Sequence, residues 1–394
     1  MEPLRRALAN SGDAVMPVPG LGAGADAAVP GREPVRVPRR VAVVIETSGS
    51  TARPKRVMLS TDALLSSATA SSVRLGGPGQ WLLALPVHYI AGVQVLVRSL
   101  AAGTTPVVLP GGHFDPAVFA AHADRLTDPS RFTALVPVQL ARLVTAAADD
   151  GVLRAALRRF TAILVGGQAL PPGLFERARE LGLNLITTYG SSETAGGCVY
   201  NGIPIGNTLV RSVAGQLEIS GSVLAEGYLG DPELTRDRFI DVDGVRWYRT
   251  GDLGAVDAQA GVVRVLGRMD NVIISGGEKV SLEAVEQVVR ALPGLGEALV
   301  LGVDDPQWGQ VPVIVRHGPA AGSGARPGAD PAALAGIGEA VASVLGRAAR
   351  PARIVTLPVI PHLASGKPDR QALGRILHDL RGGGEPGPNV AVDP

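Results

Sequence analysis

FTAILVGGQALPPGLFERARELGLNLITTYG, residues 160–190, reads as a strand, a glycine turn, a helix and a second strand in immediate succession. Phe160 to Gly167 is an apolar run closed by two glycines, the pattern of a strand buried on both faces. Leu174 to Leu181 suits a helix, and Asn184 to Gly190 returns to a strand. Parallel strands need a crossover, usually a helix, so the stretch predicts a βαβ unit. The alternation continues outward. Val41 to Glu46, Trp81 to Pro86 and Thr105 to Pro110 read as strands and Gly92 to Leu100 as a helix. FTALVPVQLARLVTAA, from Phe132, begins as a strand and continues as a helix. The predicted class is α/β, with a large N-terminal domain of mainly parallel sheets covered by helices.

The pattern changes downstream. QLEISG, GVRWYRTGDLG and GVVRVLG read as short strands broken by Gly and Asp, a β-rich subregion. From Arg268 it changes again. NVIIS, ALVLGVDD, VPVIVRHG and ARIVTLPVI are strands. Leu282 to Ala291, opened by Ser281, is a helix, as are Pro331 to Leu345 and Arg370 to Leu380. This predicts a small α+β C-terminal domain. Residues 1–40, rich in Ala, Gly, Pro and Arg, read as a poorly ordered lead-in with a short helix at Pro3 to Ala9. Pro319 to Pro331 reads as a flexible loop and 381–394 as a disordered tail.

Composition removes several classes. The 394 residues carry 37 Lys+Arg against 36 Asp+Glu, so a strongly basic nucleic-acid binder is disfavoured. Cys198 is the one cysteine, which rules out an internal disulfide framework or a multi-cysteine zinc site. The six histidines lack HExxH spacing. No apolar run reaches the length of a membrane span, and no apolar segment follows Arg5 and Arg6 as a secretory signal requires. The expectation is a cytoplasmic protein with small-molecule partners and no nucleic acid. Oligomeric state stays open, a homodimer included.

Lysine usage is informative. Lysine occurs only at Lys55, Lys279 and Lys367 among the 37 basic residues, each in a Gly- or Pro-marked segment. A compact ammonium differs from a guanidinium at a crowded phosphate, so these positions are candidates for chemistry. TSGSTARPKRV (Thr47 to Val57) follows a strand with four hydroxyls, a glycine and a lysine, a loop able to wrap a triphosphate. It is not a Walker A loop, because GxxxxGK[ST] is not met. TTYGSSETAGG (Thr187 to Gly197) offers the Tyr189 ring for stacking and the Glu193 carboxylate as a hard oxygen ligand. YRTGDLG (Tyr248 to Gly254) presents Asp252, suited to a ribose diol. GRMDNVIISGGEKVS (Gly267 to Ser281) and PHLASGKPDR (Pro361 to Arg370) follow. Taken singly, each also fits a plain surface turn.

Together, in this order, the five segments resemble the core motifs of the acyl-adenylate-forming enzymes: acyl-CoA ligases, peptide-synthetase adenylation domains and luciferases. The resemblance spans about residues 41–380. It implies ATP and Mg²⁺ as cofactors and a large nucleotide- and acyl-binding domain over 41–267. It also implies a hinge over 268–270, centred on Asp270, and a mobile C-terminal lid over 271–380. By the same resemblance Thr47, Ser48, Gly49, Ser50, Thr51 and Lys55 hold the β- and γ-phosphates. Gly166, Gly167 and Gln168 line the adenine and acyl cleft. Tyr189, with Gly190, stacks on adenine, Glu193 holds Mg²⁺, and Asp252 with Arg268 binds the ribose. Lys367 meets the reacting carboxylate and the α-phosphate. Gly276, Gly277 and Glu278 turn toward the site for the second half-reaction. Ala52 stands where the family usually has glycine, and much of the family's N-terminal subdomain is missing.

PVHYIAGVQVLVRSL (Pro86 to Leu100) and SETAGGCVYNGIPIGN (Ser191 to Asn207) resemble the branch of the family that activates o-succinylbenzoate for menaquinone biosynthesis, with coenzyme A as co-substrate. His88, Tyr89, Ser191 and Ser192 are then lining residues, and His88 joins Lys367 and Glu193 as a catalytic candidate. The alternatives are another aryl- or acyl-CoA ligase, a carrier-loading adenylation domain, or a silent adenylate-binding module. Cys198 reads as a small packed residue, not a nucleophile.

Overall fold

Strands Ala162–Val165 and Leu185–Ser191, with helix Pro172–Glu180 between them, form the expected βαβ unit. They belong to a computed structural model that describes residues 1–19, 35–47, 54–318, 331–362 and 368–380. The expected flexible loop, over its residues 319–330, and the tail after 380 lie outside the described residues. The two strands pair in parallel, Ile163 opposite Leu185 and Val165 opposite Thr187. Arg131–Leu135, Gln80–Leu83 and the two-residue strand Val107–Val108 extend the parallel run. Gly196–Tyr200 and Ile203–Pro204 add antiparallel strands at the other edge, making seven.

Successive side chains of these strands enter opposite cores. Leu82, Leu135, Ile163 and Leu185 pack with Phe119, Leu140, Leu143 and Leu157 from the helices on one face. Leu83, Ala134, Leu164 and Ile186 pack with Leu75 and Val95 on the other. Covering both faces is what makes Ala162–Val165 read as an unbroken apolar run. The order of strands also fixes where a ligand goes. From Gln80–Leu83 the chain steps to one side, to Val107–Val108, then returns to the other side as Arg131–Leu135. Winding therefore reverses between Gln80–Leu83 and Arg131–Leu135, and open α/β sheets bind ligands outside the strand carboxyl ends at such a reversal.

Parallel pairing is concentrated in that sheet. Val41–Thr47, Lys55–Ser60 and Gly227–Tyr228 form an antiparallel three-stranded sheet. The β-rich subregion is a five-stranded sheet with antiparallel hairpins Leu209–Val213/Gln216–Ser220 and Phe239–Val242/Val245–Val256. GVRWYRTGDLG is not a short broken strand there: Val245–Val256 runs for 12 residues.

Within the lead-in expected over residues 1–40, a short helix stands where one was expected at Pro3 to Ala9. Glu2–Leu8 is a helix that buries Leu4 and Ala7 in the same core as Val43 and Leu64, with Leu8 packed against it. Leu4, Ala7 and Leu8 are three and four residues apart, the apolar stripe of a one-sided helix. Val15 then bonds to Ala42 and Val44 across a parallel bridge to Val43.

Contacts divide the chain into two compact units. One comprises Met1–Leu170, Leu174–Thr250 and Gly254–Arg264, the other Val265–Pro394 with Pro171–Gly173 and Gly251–Leu253. In the second, Glu278–Ser281, Val272–Ser275, Gly309–His317 and Leu299–Asp305 are antiparallel neighbours, and Arg353–Leu357 joins Gly309–His317 in parallel. Its strands again alternate. Val300, Ile314 and Ile354 pack into one cluster, and Leu299, Leu301, Val313, Val315 and Val355 into another. Ser281 caps helix Leu282–Arg290 by accepting from the Ala284 amide.

Glu283, in the first turn of that helix, carries a cost. Oε2 is buried without a hydrogen-bond partner among the described residues, while Oε1 accepts from the Asn271 amide. Burial raises its carboxyl pKa, against the smaller opposing effects of Asn271 and Arg370. A raised folded pKa gives stability that is full below the unfolded pKa and lost as pH rises through the folded value. Glu283→Gln is therefore expected to raise the melting temperature more at pH 8 than at pH 5. Equal changes at the two pH values in a thermal melt would contradict this.

Candidate active site

Three loops that carry predicted residues leave the carboxyl ends of the parallel strands. His88 and Tyr89 follow Gln80–Leu83, Gly166 to Gln168 follow Ala162–Val165, and Tyr189 to Glu193 end or follow Leu185–Ser191. The fold thus brings these segments to one edge of one sheet, His88 and Tyr89 beside the reversal of winding. Gly92 lets the helix Ile90–Ala101 start close to this loop, since a Cβ there would sit 2.3 Å from the Pro86 carbonyl oxygen. The His88 and Tyr89 rings lie 4.2 Å apart. Burial lowers the His88 pKa, and its Nε2 is enclosed with no hydrogen-bond partner among the described residues. His88 is thus a neutral imidazole at neutral pH, suited to hydrogen bonding rather than to supplying charge.

Glu193 is held by the turn around it. Ser191 Oγ accepts from the Glu193 amide, and the Thr194 hydroxyl accepts from the Ser191 amide. Ala195 closes the turn in the left-handed region at φ 49°. Its carbonyl accepts from Ser67 Oγ at 3.0 Å and Gln94 Nε2 at 2.8 Å, both buried. Backbone held in that region at a non-glycine residue costs energy, and here buried side chains fix it. The Glu193 carboxylate is 9% exposed as part of its residue and accepts from the Tyr228 hydroxyl at 2.9 Å. Ser192 is buried beside it, and Cys198 is fully buried with its thiol pKa pushed up to about 12 by burial, an inert packed residue.

Thr47 and Lys55 face each other at the ends of Val41–Thr47 and Lys55–Ser60, so both ends of the predicted phosphate segment are fastened side by side. Ser48, Gly49, Ser50, Thr51 and Ala52 lie outside the described residues, as does Lys367. The Lys55 ammonium stands 5.9 Å from the centre of the Tyr228 ring.

In the second unit Arg268 gathers two of the predicted carboxylates. It donates to Asp252 at 3.0 Å and to both Asp270 oxygens at 3.1 and 3.2 Å. Gly276 and Gly277 form a two-residue hairpin between Ser275 and Glu278, with φ of 57° and 86°. Both central residues of such a turn need positive φ, which explains the paired glycines. Glu278 is exposed.

Two buried polar residues escaped the sequence reading. Arg98 is 7% exposed, on the otherwise apolar helix Ile90–Ala101. One nitrogen donates to the Tyr200 hydroxyl at 3.2 Å, the guanidinium lies 4.9 Å from the Trp81 ring centre, and Nε has no hydrogen-bond partner among the described residues. It makes no ion pair among the described residues, and it lines a cavity of about 260 Å³ with Trp81 and Phe132. The available signal was a lone cation inside an apolar helical run. Tyr228 is the other; nothing local in AEGYLG marks it.

The AMP-binding enzyme profile matches residues 9–223, and the AMP-binding enzyme C-terminal domain matches 284–367. The chain belongs to the AMP-binding enzymes. The resemblance to acyl-adenylate-forming enzymes is thereby borne out. A probable 2-succinylbenzoate–CoA ligase of Mycobacterium tuberculosis is 39% identical over 340 residues, 85% of this AMP-binding chain and 84% of the relative. The 2-succinylbenzoate–CoA ligase of Escherichia coli K12 is 31% identical over 349 residues, 85% and 69% of the two chains. The o-succinylbenzoate CoA synthetase of Bacillus subtilis, in complex with the acyl-adenylate intermediate OSB-AMP, superposes with a TM-score of 0.70 at 26% identity. That match covers 84% of this chain and 69% of the other. The same Bacillus enzyme with ATP and magnesium gives 0.69. Among the described residues no helix is long and apolar enough to cross a membrane, and no cluster of three or more His, Cys, Asp or Glu could cage a metal.

Proposed function

We propose that this AMP-binding enzyme is an ATP-dependent acid–thiol ligase that adenylates o-succinylbenzoate and passes the acyl group to coenzyme A. The observation that carries the reading is the extent of one likeness: 39% identity over 84% of a relative bearing that activity in its name, well beyond the nucleotide motifs.

In the first step a carboxylate oxygen attacks the α-phosphorus of ATP, the bond to the β-phosphate oxygen breaks, and pyrophosphate leaves. In the second the thiolate attacks the acyl carbonyl, and AMP leaves with its phosphate oxygen. Anion meets anion in the first step, so fixed cations and donors have to stabilise the crowded α-phosphoryl group. The segment between Thr47 and Lys55 takes the β- and γ-phosphates. Tyr189 offers a face to adenine, and Asp252 with Arg268 takes the ribose diol. Glu193 is a hard oxygen donor outside any protein cage, which suits a magnesium ion that keeps waters and shares phosphate oxygens. When bound, that ion neutralises phosphate charge. Lys367 supplies the point charge at the reacting carboxylate and α-phosphate, Asp270 is the pivot between half-reactions, and Gly276, Gly277 and Glu278 serve thiol attack. His88, Tyr89, Ser191 and Ser192 line the acyl pocket.

Pyrophosphate release measured with o-succinylbenzoate, benzoate and medium-chain fatty acids tests the reading. Rapid release is expected with o-succinylbenzoate alone. Release with fatty acids alone would reject it, and none with any acid would point to a silent adenylate-binding protein.

A further inference from the structure

Tyr228 sits where three predicted segments meet. Its strand Gly227–Tyr228 pairs with Lys55–Ser60, Tyr228 opposite Val57, which places its ring under the Lys55 ammonium. Its hydroxyl donates to Glu193 Oε1 at 2.9 Å. The Tyr248 side chain, from YRTGDLG, hydrogen-bonds to it in turn. Tyr228 is 3% exposed and Tyr248 5%, and the Phe239 ring packs between them at 5.8 and 5.1 Å. The Tyr228 amide donates to Thr235 Oγ1 at 2.9 Å, and the Ala225 amide to the Glu193 carbonyl at 2.8 Å, so phenol and carboxylate are both anchored through their backbones.

We propose that Tyr228, steered by Tyr248, is a positioning residue that occupies Oε1 of Glu193 and thereby aims Oε2 at the magnesium ion arriving with the nucleotide. A carboxylate has two oxygens and several lone-pair sites, so without a fixed donor it rotates and its free oxygen sweeps an arc. A donor on one oxygen selects one orientation. A phenol with its ordinary pKa of about 10 keeps its proton, so it remains a donor throughout the working pH range. The cation–π contact couples the same ring to Lys55, the residue that ends the phosphate segment. Three elements of the nucleotide site are thus registered to one buried phenol.

This inference rests on the assignment of Glu193 to the cation, and the experiment separates the two. Binding of Mn²⁺ is followed by electron paramagnetic resonance in the presence of α,β-methylene-ATP, whose α–β linkage adenylation cannot break. Loss of an outer-shell partner to a metal ligand typically weakens the metal by about 10–100-fold. Tyr228→Phe is expected to weaken Mn²⁺ by about that factor and to raise the magnesium requirement for pyrophosphate release in parallel. The KM for the acid should stay unchanged. Tyr248→Phe should shift both metal readouts in the same direction by less. Unchanged metal affinity in Tyr228→Phe alongside weakened affinity in Glu193→Gln would overturn the positioning role alone. Unchanged affinity in Glu193→Gln would remove the assignment beneath it. Should Tyr228→Phe fail to fold, Tyr248→Phe decides by the same metal readout, an unshifted value overturning the proposal.

Discussion

Lys367→Ala is expected to slow adenylate formation by about 10²–10³-fold, the typical consequence of removing one donor aimed at developing transition-state charge. Thioester formation from preformed adenylate should stay close to that of the unmodified enzyme. Two physical arguments single out this lysine. The attack of carboxylate on triphosphate concentrates negative charge at one phosphorus, and a small ammonium approaches that centre where a planar guanidinium does not fit the same space. Lysine also survives at only three positions in a chain whose other basic residues are all arginine. The chain just beyond Lys367 is firmly fastened. Asp369 caps the helix Arg370–Asp379, and Arg370 donates to the Val300 carbonyl at 2.7 Å and to buried Glu286 at 2.6 Å. Glu286 also accepts from the Val300 amide at 3.0 Å and pairs with Arg290 at 2.8 Å. Removing the ammonium while keeping this clamp leaves the fold intact, so the loss should appear in chemistry alone. Single-turnover pyrophosphate release and thioester formation, measured separately, check it. Equal losses in both half-reactions would contradict the role, and Lys367→Arg should recover little.

The parallel sheet was legible because its physics is local. A strand covered on both faces reads as a continuous apolar run, and Ala162–Val165 shows that without reference to any partner. The antiparallel sheet of Val41–Thr47, Lys55–Ser60 and Gly227–Tyr228 was only partly legible. Lys55–Ser60 begins inside the phosphate motif, and Gly227–Tyr228 is two residues long, so neither carries enough periodicity to be read. At the N-terminus the short helix was legible but its burial was not, because the core that takes up Leu4 and Ala7 is built by residues far along the chain, such as Val43 and Leu64. The site divides in the same way. Residues that leave strand carboxyl ends could be placed from the alternation alone. Tyr228 could not, because its partner Glu193 lies 35 residues away and meets it only through the fold. Arg98 was visible as a charge in an apolar helix, yet its meaning depends on the absence of a carboxylate beside it among the described residues, which only coordinates reveal.

That absence supports the second large effect, which falls on stability. Arg98→Met is expected to hold or raise the melting temperature, while kcat/KM falls no more for o-succinylbenzoate than for a monoacid. The geometry keeps Arg98 away from the acid. Arg98 lies eight residues along its helix from Ile90, about 12 Å at 1.5 Å per residue, below the loop that carries His88 and Tyr89. The cavity it lines includes Gly77, Pro78 and Gly79, at the amino end of Gln80–Leu83 and opposite the edge that carries the predicted residues. The two carboxylates of o-succinylbenzoate are joined through six carbon–carbon bonds, a span well short of that helix length. A buried ion whose protein partner is removed destabilises because the remaining charge is uncompensated, but Arg98 has no carboxylate partner to strand among the described residues. Tyr200 keeps its bond to Ser71 Oγ at 2.9 Å, and methionine retains much of the packing against Trp81. Exchanging a guanidinium without a carboxylate for an apolar side chain of similar reach therefore removes a desolvation cost and little else. The ratio of kcat/KM for the diacid to that for the monoacid, measured beside a thermal melt, checks both halves of the prediction. A fall confined to the diacid would mean that Arg98 reads the charge of the acid.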